Sequence, residues 1–256
     1  MSEKTSYAPG TPSWVDLASP DVEAAAAFYG PLLGWTTRSP GPDDQTGGYR
    51  MFELRGTPVA GVAPIMTPGH PPSWTTYISV TDADETIAKV RAAGGDVIVE
   101  PMDITTVGRM AAFADPGGAV AAIWQPRDHI GAGIVNEPGS LCWNELACRD
   151  PKAAKAFYGA VFGWEAVEGT PGGQAYTTWR SGGADVGGMI VMDARWPADV
   201  PAHWMTYFAV DDADRAAEWA KAHGGTVTVE PFDIPVGRLA VLADPHGAPF
   251  SVITMN

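Results

Sequence analysis

The chain has 256 residues and carries 16 Lys and Arg against 30 Asp and Glu, a formal charge of −14. At roughly 100 to 200 residues per domain, that length holds one large or two ordinary domains, and a field of this sign repels phosphate backbones and anionic headgroups, so neither nucleic acid nor a membrane is an expected partner. Hydrophobic residues at 45% and charged residues at 18% exclude a disordered chain. No apolar run approaches the roughly 20 residues of a spanning helix, and the polar start, residues 1–12, lacks the apolar core of a signal peptide, so the cytoplasm is the expected location.

The first predicted element is a strand over residues 14–18. Ser19-Pro20 then predicts an N-cap followed by proline at the first helical position, opening a helix through Val22, Ala25, Ala26, Phe28 and Tyr29 that stops at Gly30. Residues 50–54 and 59–66 are strand-like runs divided by Gly56 and Pro58. A further strand covers residues 74–80. Asp82 with Glu85 three residues on forms a capping-box pattern, and the helix it opens carries Ile87 and Val90 inward before Gly94-Gly95. Strands over 97–99, 109–114 and 119–124 follow, the last two joined by the turn Asp115-Pro116-Gly117-Gly118.

The same series then repeats. WVDLASPDVEAAAAFYGPLLGW, from Trp14, aligns without gaps at an offset of 129 with WNELACRDPKAAKAFYGAVFGW, from Trp143, and twelve of the 22 positions are identical. Pro72 onward matches Pro201 onward, and VGRMAAFADPGGA matches VGRLAVLADPHGA. In the second copy Asp150-Pro151 begins the first helix and Gly159 ends it. The expected division is residues 1–126, a linker over 127–138, and residues 139–256, each half reading β-α-β-β followed by β-α-β-β-β. Of the two cysteines, Cys142 and Cys148 fall on one strand and its exit; six extended residues hold them too far apart for a disulfide, so both are expected to be buried reduced thiols.

The D-x-x-x-A-x-x-F-Y helix, the L-G-W or F-G-W that follows it, the later D-x-D helix, the GG pair, the G-R and the D-P-x-G turn, in this order and duplicated, resemble the vicinal oxygen chelate superfamily. That family includes glyoxalases, bleomycin- and fosfomycin-resistance proteins and extradiol dioxygenases, and the closest likeness is to two-domain actinobacterial members of glyoxalase-like or hydroxylase-like type. The resemblance covers about residues 12–126 and 139–255. It implies an α+β fold of paired βαβββ modules, each half a cup-shaped mixed sheet of about eight strands.

The resemblance also implies where a divalent metal would sit: a ligand on the first strand, one on the strand before the second helix, and a carboxylate on the last strand. Such a site needs His or carboxylate donors. The six positions hold Trp14, Thr75 and Ala122 in the first half and Trp143, Met205 and Ser251 in the second. No metal and no other cofactor is therefore expected, and chelate-type lyase or dioxygenase chemistry is not.

Residues two apart on a strand share a face. Asp16 thus joins Trp14, Glu145 joins Trp143, Tyr77 joins Thr75, Tyr207 joins Met205, and Trp124 joins Ala122. Each cup is expected to pair an aromatic lining with one acid, a composition suited to a flat apolar ligand or, equally, to simple core. Shielding by the rings would raise the acid's pKa. Arg109 and Arg238, in the repeated V-G-R, are candidate partners of these acids or ligand clamps. His203, two residues before Met205, could pair with Glu145 as an improvised acid/base pair; His129 in the linker, His223 and His246 are expected to face solvent, and His70 to lie in a loop. The Phe28/Tyr29 and Phe157/Tyr158 stripes read as sheet-packing residues.

Three functions follow. The leading expectation is metal-free binding of a small aromatic or polyketide-like molecule, for sequestration or for tailoring in secondary metabolism. The alternatives are a glyoxalase-type lyase, isomerase or hydroxylase using Asp16, Glu145 and His203 in acid/base roles, and an interaction or antigen-like protein with vestigial cavities. The chain is expected to be a monomer or a homodimer.

Overall fold

The computed structural model describes residues 3–173 and 175–256. The first half runs β1 (Pro12–Ser19), α1 (Val22–Leu33), β2 (Trp35–Arg38), a short helix α2 (Asp43–Thr46), β3 (Arg50–Leu54) and β4 (Thr57–Pro64), then β5 (Ser73–Ser79), α3 (Ala83–Ala92), β6 (Asp96–Ile104), β7 (Gly108–Ala114) and β8 (Val120–Pro126). The second half repeats the order with β9 (Leu141–Cys148), α4 (Pro151–Phe162), β10 (Glu165–Gly169), β11 (Tyr176–Ser181), β12 (Ala184–Val191), β13 (His203–Ala209), α5 (Ala213–Ala222), β14 (Thr226–Ile234), β15 (Gly237–Ala243) and β16 (Pro249–Met255). Each half builds one eight-stranded mixed sheet, in the order β2-β3-β4-β1-β5-β8-β7-β6 and its counterpart β10-β11-β12-β9-β13-β16-β15-β14. Neither sheet closes into a barrel. Among the described residues no helix is long and apolar enough to cross a membrane.

Local chemistry corrects three expectations. The N-cap of α1 is Asp21, whose carboxylate accepts from Ala24 N–H at 2.9 Å, while Ser19 Oγ folds back on Asp21 itself. Gly30 and Gly159 do not end their helices. Both helices run one turn further, α1 through Pro31, and stop at Gly34 and Gly163, which adopt left-handed φ of 73° and 70°. The extra turn leads into β2 and β10, strands without apolar alternation because all but Trp35 of their residues are exposed. The unit is therefore βαβββ in all four modules.

The Phe-Tyr stripes reach beyond their own sheet. Phe28 sits 5.1 Å from Trp219 on α5, and Phe157 lies 5.8 Å from Phe113 on β7. Tyr29 donates to Asp244 Oδ2 at 3.3 Å and Tyr158 to Asp115 Oδ2 at 3.0 Å. These aspartates open the two D-P-x-G turns, and each also accepts from two backbone N–H groups of its own turn. Each half thus packs its first helix on the other half's last turn, and both main core clusters draw residues from both halves.

Both cysteines are unpaired thiols on β9, and burial pushes them up, Cys142 to about 12 and Cys148 to about 11.

Candidate functional site

With one face of each sheet against helices, the other is left to form a concave surface. On β1, Val15 and Leu17 face the helices, and Trp14 and Asp16 face the concavity. Strand register then places a continuous row across the first sheet: Arg38, Met51, Gly61, Asp16, Thr75. The neighbouring rows hold Trp14, Tyr77, Ala122 and Ala112, and then Trp124, Met110 and Met102.

Asp16 is the centre of this surface. Its Oδ1 accepts from Trp14 Nε1 at 2.7 Å and from Tyr49 OH at 2.7 Å, and Tyr77 supplies a further hydrogen bond. Burial raises its carboxyl above the usual carboxylate range, and the three donors only partly offset that. Burial first, and this carboxylate second, push the Tyr49 and Tyr77 phenols well above theirs. Room for the cluster comes from Gly61, where a Cβ would lie 2.0 Å from both Asp16 Oδ1 and Tyr49 OH.

The second sheet repeats the arrangement around a more deeply buried acid. Tyr207 donates to Glu145 Oε1 at 2.7 Å, Tyr176 adds a second hydrogen bond, Trp143 Nε1 donates to Tyr176 OH at 2.9 Å, and Gly188 makes the same room as Gly61. Burial raises the Glu145 carboxyl too. Here, however, Ile253 replaces Trp124 and Leu239 replaces Met110. Tyr207, Leu239 and Ile253 form a small core of their own, with Trp143, Met205 and Cys142 packed on it. Glu145 and Tyr207 are buried, whereas Asp16 and Tyr77 keep accessible surface; the tryptophans run the other way, Trp14 buried and Trp143 only partly so. Ser251 Oγ is buried in the second cup without a hydrogen bond of good geometry.

Three expected participants lie elsewhere. Arg109 pairs with Gln125, on the face opposite Trp124, and its guanidinium holds Asp84 at 2.8 Å and Asp103 at 3.0 Å. Arg238 repeats this with Asp214 and Asp233. Both arginines clamp a helix start to the sheet edge and neither reaches a cup acid; the parity of β7 and β15 puts them on the helix side. His203 lies opposite Ala147, one step beyond Glu145, and its Nδ1 meets Pro201 O at 2.9 Å, so it forms no pair with the acid.

Other residues entered the first cup unannounced. Tyr49 and Tyr176 precede or begin a strand and are related by an offset of 127 rather than 129, a two-residue deletion that extending the repeat through the middle of each half would have revealed. His129 is not in solvent. Its ring meets Trp14 edge-on with centroids 4.5 Å apart and lies 5.8 Å from Trp124, whose Nε1 donates to His129 O at 2.8 Å. Burial first, and the Arg38 charge second, lower this imidazole to about 4. That β2 and β8, far apart in the sheet order, both act on one ring shows how strongly the sheet curls.

The donor set does not fit a divalent metal at the positions the fold would use. Trp14 spends its N–H on Asp16, Thr75 and Ser251 offer neutral hydroxyls, Met205 a thioether, and Ala122 nothing. Among the described residues no three His, Cys, Asp or Glu side chains converge as a metal site. Two open clefts lie away from the acids: about 600 Å³ between the start of α3 and the end of α4, and about 460 Å³ where α4 meets β10–β12, reaching Tyr176.

Paired βαβββ modules and a curved, aromatic-lined sheet in each half define a class, and residues 11–123 and 129–252 each match its family model: the chain belongs to the Glyoxalase/Bleomycin resistance protein/Dioxygenase superfamily. Within it, the chain is 47% identical over 265 residues to CFP32 of Mycobacterium tuberculosis (strain CDC 1551 / Oshkosh), a protein with a provisional glyoxylase name, covering 99% of this chain and 98% of that one. It is 41% identical over 266 residues to the anthracycline biosynthesis protein DauV of Streptomyces sp. (strain C5), covering 98% and 96%. Solved structures share the fold: the 2,3-dioxygenase LapB of Pseudomonas sp. KL28 (TM-score 0.65, 16% identity, covering 96% of this chain and 93% of that one) and the Mn(II)-bound glyoxalase of Novosphingobium aromaticivorans (TM-score 0.63, 17% identity, covering 96% and 82%).

Proposed function

We propose that this protein binds a planar, oxygen-bearing aromatic molecule in its first cup without the help of a metal, to sequester it or present it for tailoring in secondary metabolism. The observation that carries this reading is Asp16: a desolvated carboxyl with no cationic partner in its hydrogen-bond set, held by Trp and Tyr donors in a residue that is only partly buried. An acid kept in that state at a cost in stability is suited to hydrogen-bonding a hydroxyl of a ligand whose rings lie over Tyr77 and the edges of Trp14 and Trp124. Burial of Glu145 supports a scaffold role for it. Two further facts agree with the reading: a relative 41% identical is named for anthracycline biosynthesis, and a charge of −14 favours neutral or cationic ligands over anionic ones.

Titration calorimetry of chelator-treated protein with an anthracycline aglycone tests it. One site per chain is expected, weakened at least about tenfold (~1.4 kcal/mol) in Asp16→Asn and unchanged in Glu145→Gln. Binding that appears only after a divalent ion is added back, or that survives intact in Asp16→Asn, refutes the proposal.

A further inference from the structure

Beside Trp14, on the same side of the cup as the Arg38 guanidinium, lies a polar atom whose partner the protein does not supply. His129 Nε2 is buried and makes no hydrogen bond. The segment that delivers it is firmly placed: Arg127 and His129 N–H both donate to Val107 O at 3.1 Å, Trp124 Nε1 holds His129 O, and Ala132 N–H reaches Ser13 O at 2.8 Å. The interdomain linker therefore crosses the open end of the first cup from β8 to β1 and carries the imidazole in against two of its aromatic walls. The ring is neutral at ordinary pH, so Nε2 is either a single donor or a single acceptor. The large majority of buried side-chain polar atoms in native proteins are satisfied, by protein, water or ligand, and of those left without a partner here His129 Nε2 is the ring nitrogen set against the cup's aromatic wall.

We infer that His129 orients the ligand of the first cup: its Nε2 hydrogen-bonds a ring hydroxyl, which restricts the site to hydroxylated planar aromatics and excludes the unsubstituted ring system. A hydroxyl both donates and accepts, and so satisfies either tautomer. Asp16 and His129 then address two edges of one flat molecule laid over Tyr77, with Trp14 and Trp124 backing the imidazole. This inference rests on the proposal that the first cup is the binding site, and adds the chemical class of its occupant.

The test compares 1,8-dihydroxyanthraquinone with unsubstituted anthraquinone, followed by quenching of tryptophan fluorescence. Wild type is expected to bind the dihydroxy compound at least about tenfold more tightly, and His129→Phe to lose that preference, so that the two compounds bind it about equally. In wild type, the His129 Nε2 resonance is expected to shift on adding the dihydroxy compound and to stay in place with the parent, a readout that needs no variant. A preference that persists in His129→Phe, or a resonance unmoved by the dihydroxy compound, overturns the inference while leaving the first cup as the site. Failure of wild type to bind either compound overturns both.

Discussion

At the scale of single residues, the balance turns on Asp16 and the glycine beside it. An inward acid on a sheet costs free energy unless donors meet it, and Trp14, Tyr49 and Tyr77 do so only because residue 61 has no side chain. Gly61→Ala places a methyl inside the cluster, and overpacking of this kind costs about 1–3 kcal/mol; urea unfolding is expected to show that loss, and an unchanged midpoint would mean that the cluster is not packed as described. His129 gives the opposite kind of titration from Asp16. Its folded pKa of about 4 lies below the unfolded value of 6.5, so the unfolded chain binds more protons between them, and stability falls as pH drops through that window, by up to about 3 kcal/mol from this group. Asp16, raised on folding, offsets part of this as it takes up its proton. The loss in thermal stability between pH 6.5 and 4 is therefore expected to be smaller in His129→Leu than in wild type. The acids and most of the aromatic lining were legible from alternation along β1, β5 and β8. Tyr49 and His129 were not, because one precedes its strand and the other lies in a linker, where no periodicity announces a face. Arg109 was misplaced because the bulged β6–β7 hairpin gives no sequence cue to which side of the sheet it presents.

Among the elements, the helices show where local signals compete. Asp21, Asp82, Asp150 and Asp212 cap their helices through the side chain; all four follow a strand, and Asp82 and Asp212 open D-x-D starts. Gly30 is an exception to the rule that glycine ends a helix. It lies where α1 passes Trp35 O, 3.2 Å from where a Cβ would stand, so its small size serves the return of the chain into β2. The D-P-x-G turns were legible as turns, but their role as docking points was not, since it depends on Tyr29 and Tyr158 arriving from the other half. Tyr158→Phe would leave Asp115 Oδ2 short of a partner and Trp204 Nε1 without its acceptor. A loss of about 1–3 kcal/mol is expected, measured by chemical unfolding; a loss no greater than that of an exposed Tyr→Phe would show that the contact is incidental.

For the whole molecule, duplication accounts for the order of the elements, and the exchange of helices between halves accounts for their cohesion. Because both main cores mix residues of the two halves, calorimetry of the full chain is expected to show one unfolding transition, and residues 1–128 alone to expose α1 and α3 and self-associate or aggregate. Two resolved transitions would contradict this. The difference between the cups is also a property of the whole: the linker brings His129 against the first cup, while Tyr207, Leu239 and Ile253 cluster in the second. Co-crystallisation with a hydroxylated anthraquinone decides where the ligand sits: one molecule is expected in the first cup over Tyr77, with ring oxygens in hydrogen-bond reach of Asp16 and His129 and no metal at Trp14, Thr75 or Ala122. A ligand seated instead in the second cup or in the cleft between α3 and α4, or held by a metal ion, would contradict this expectation.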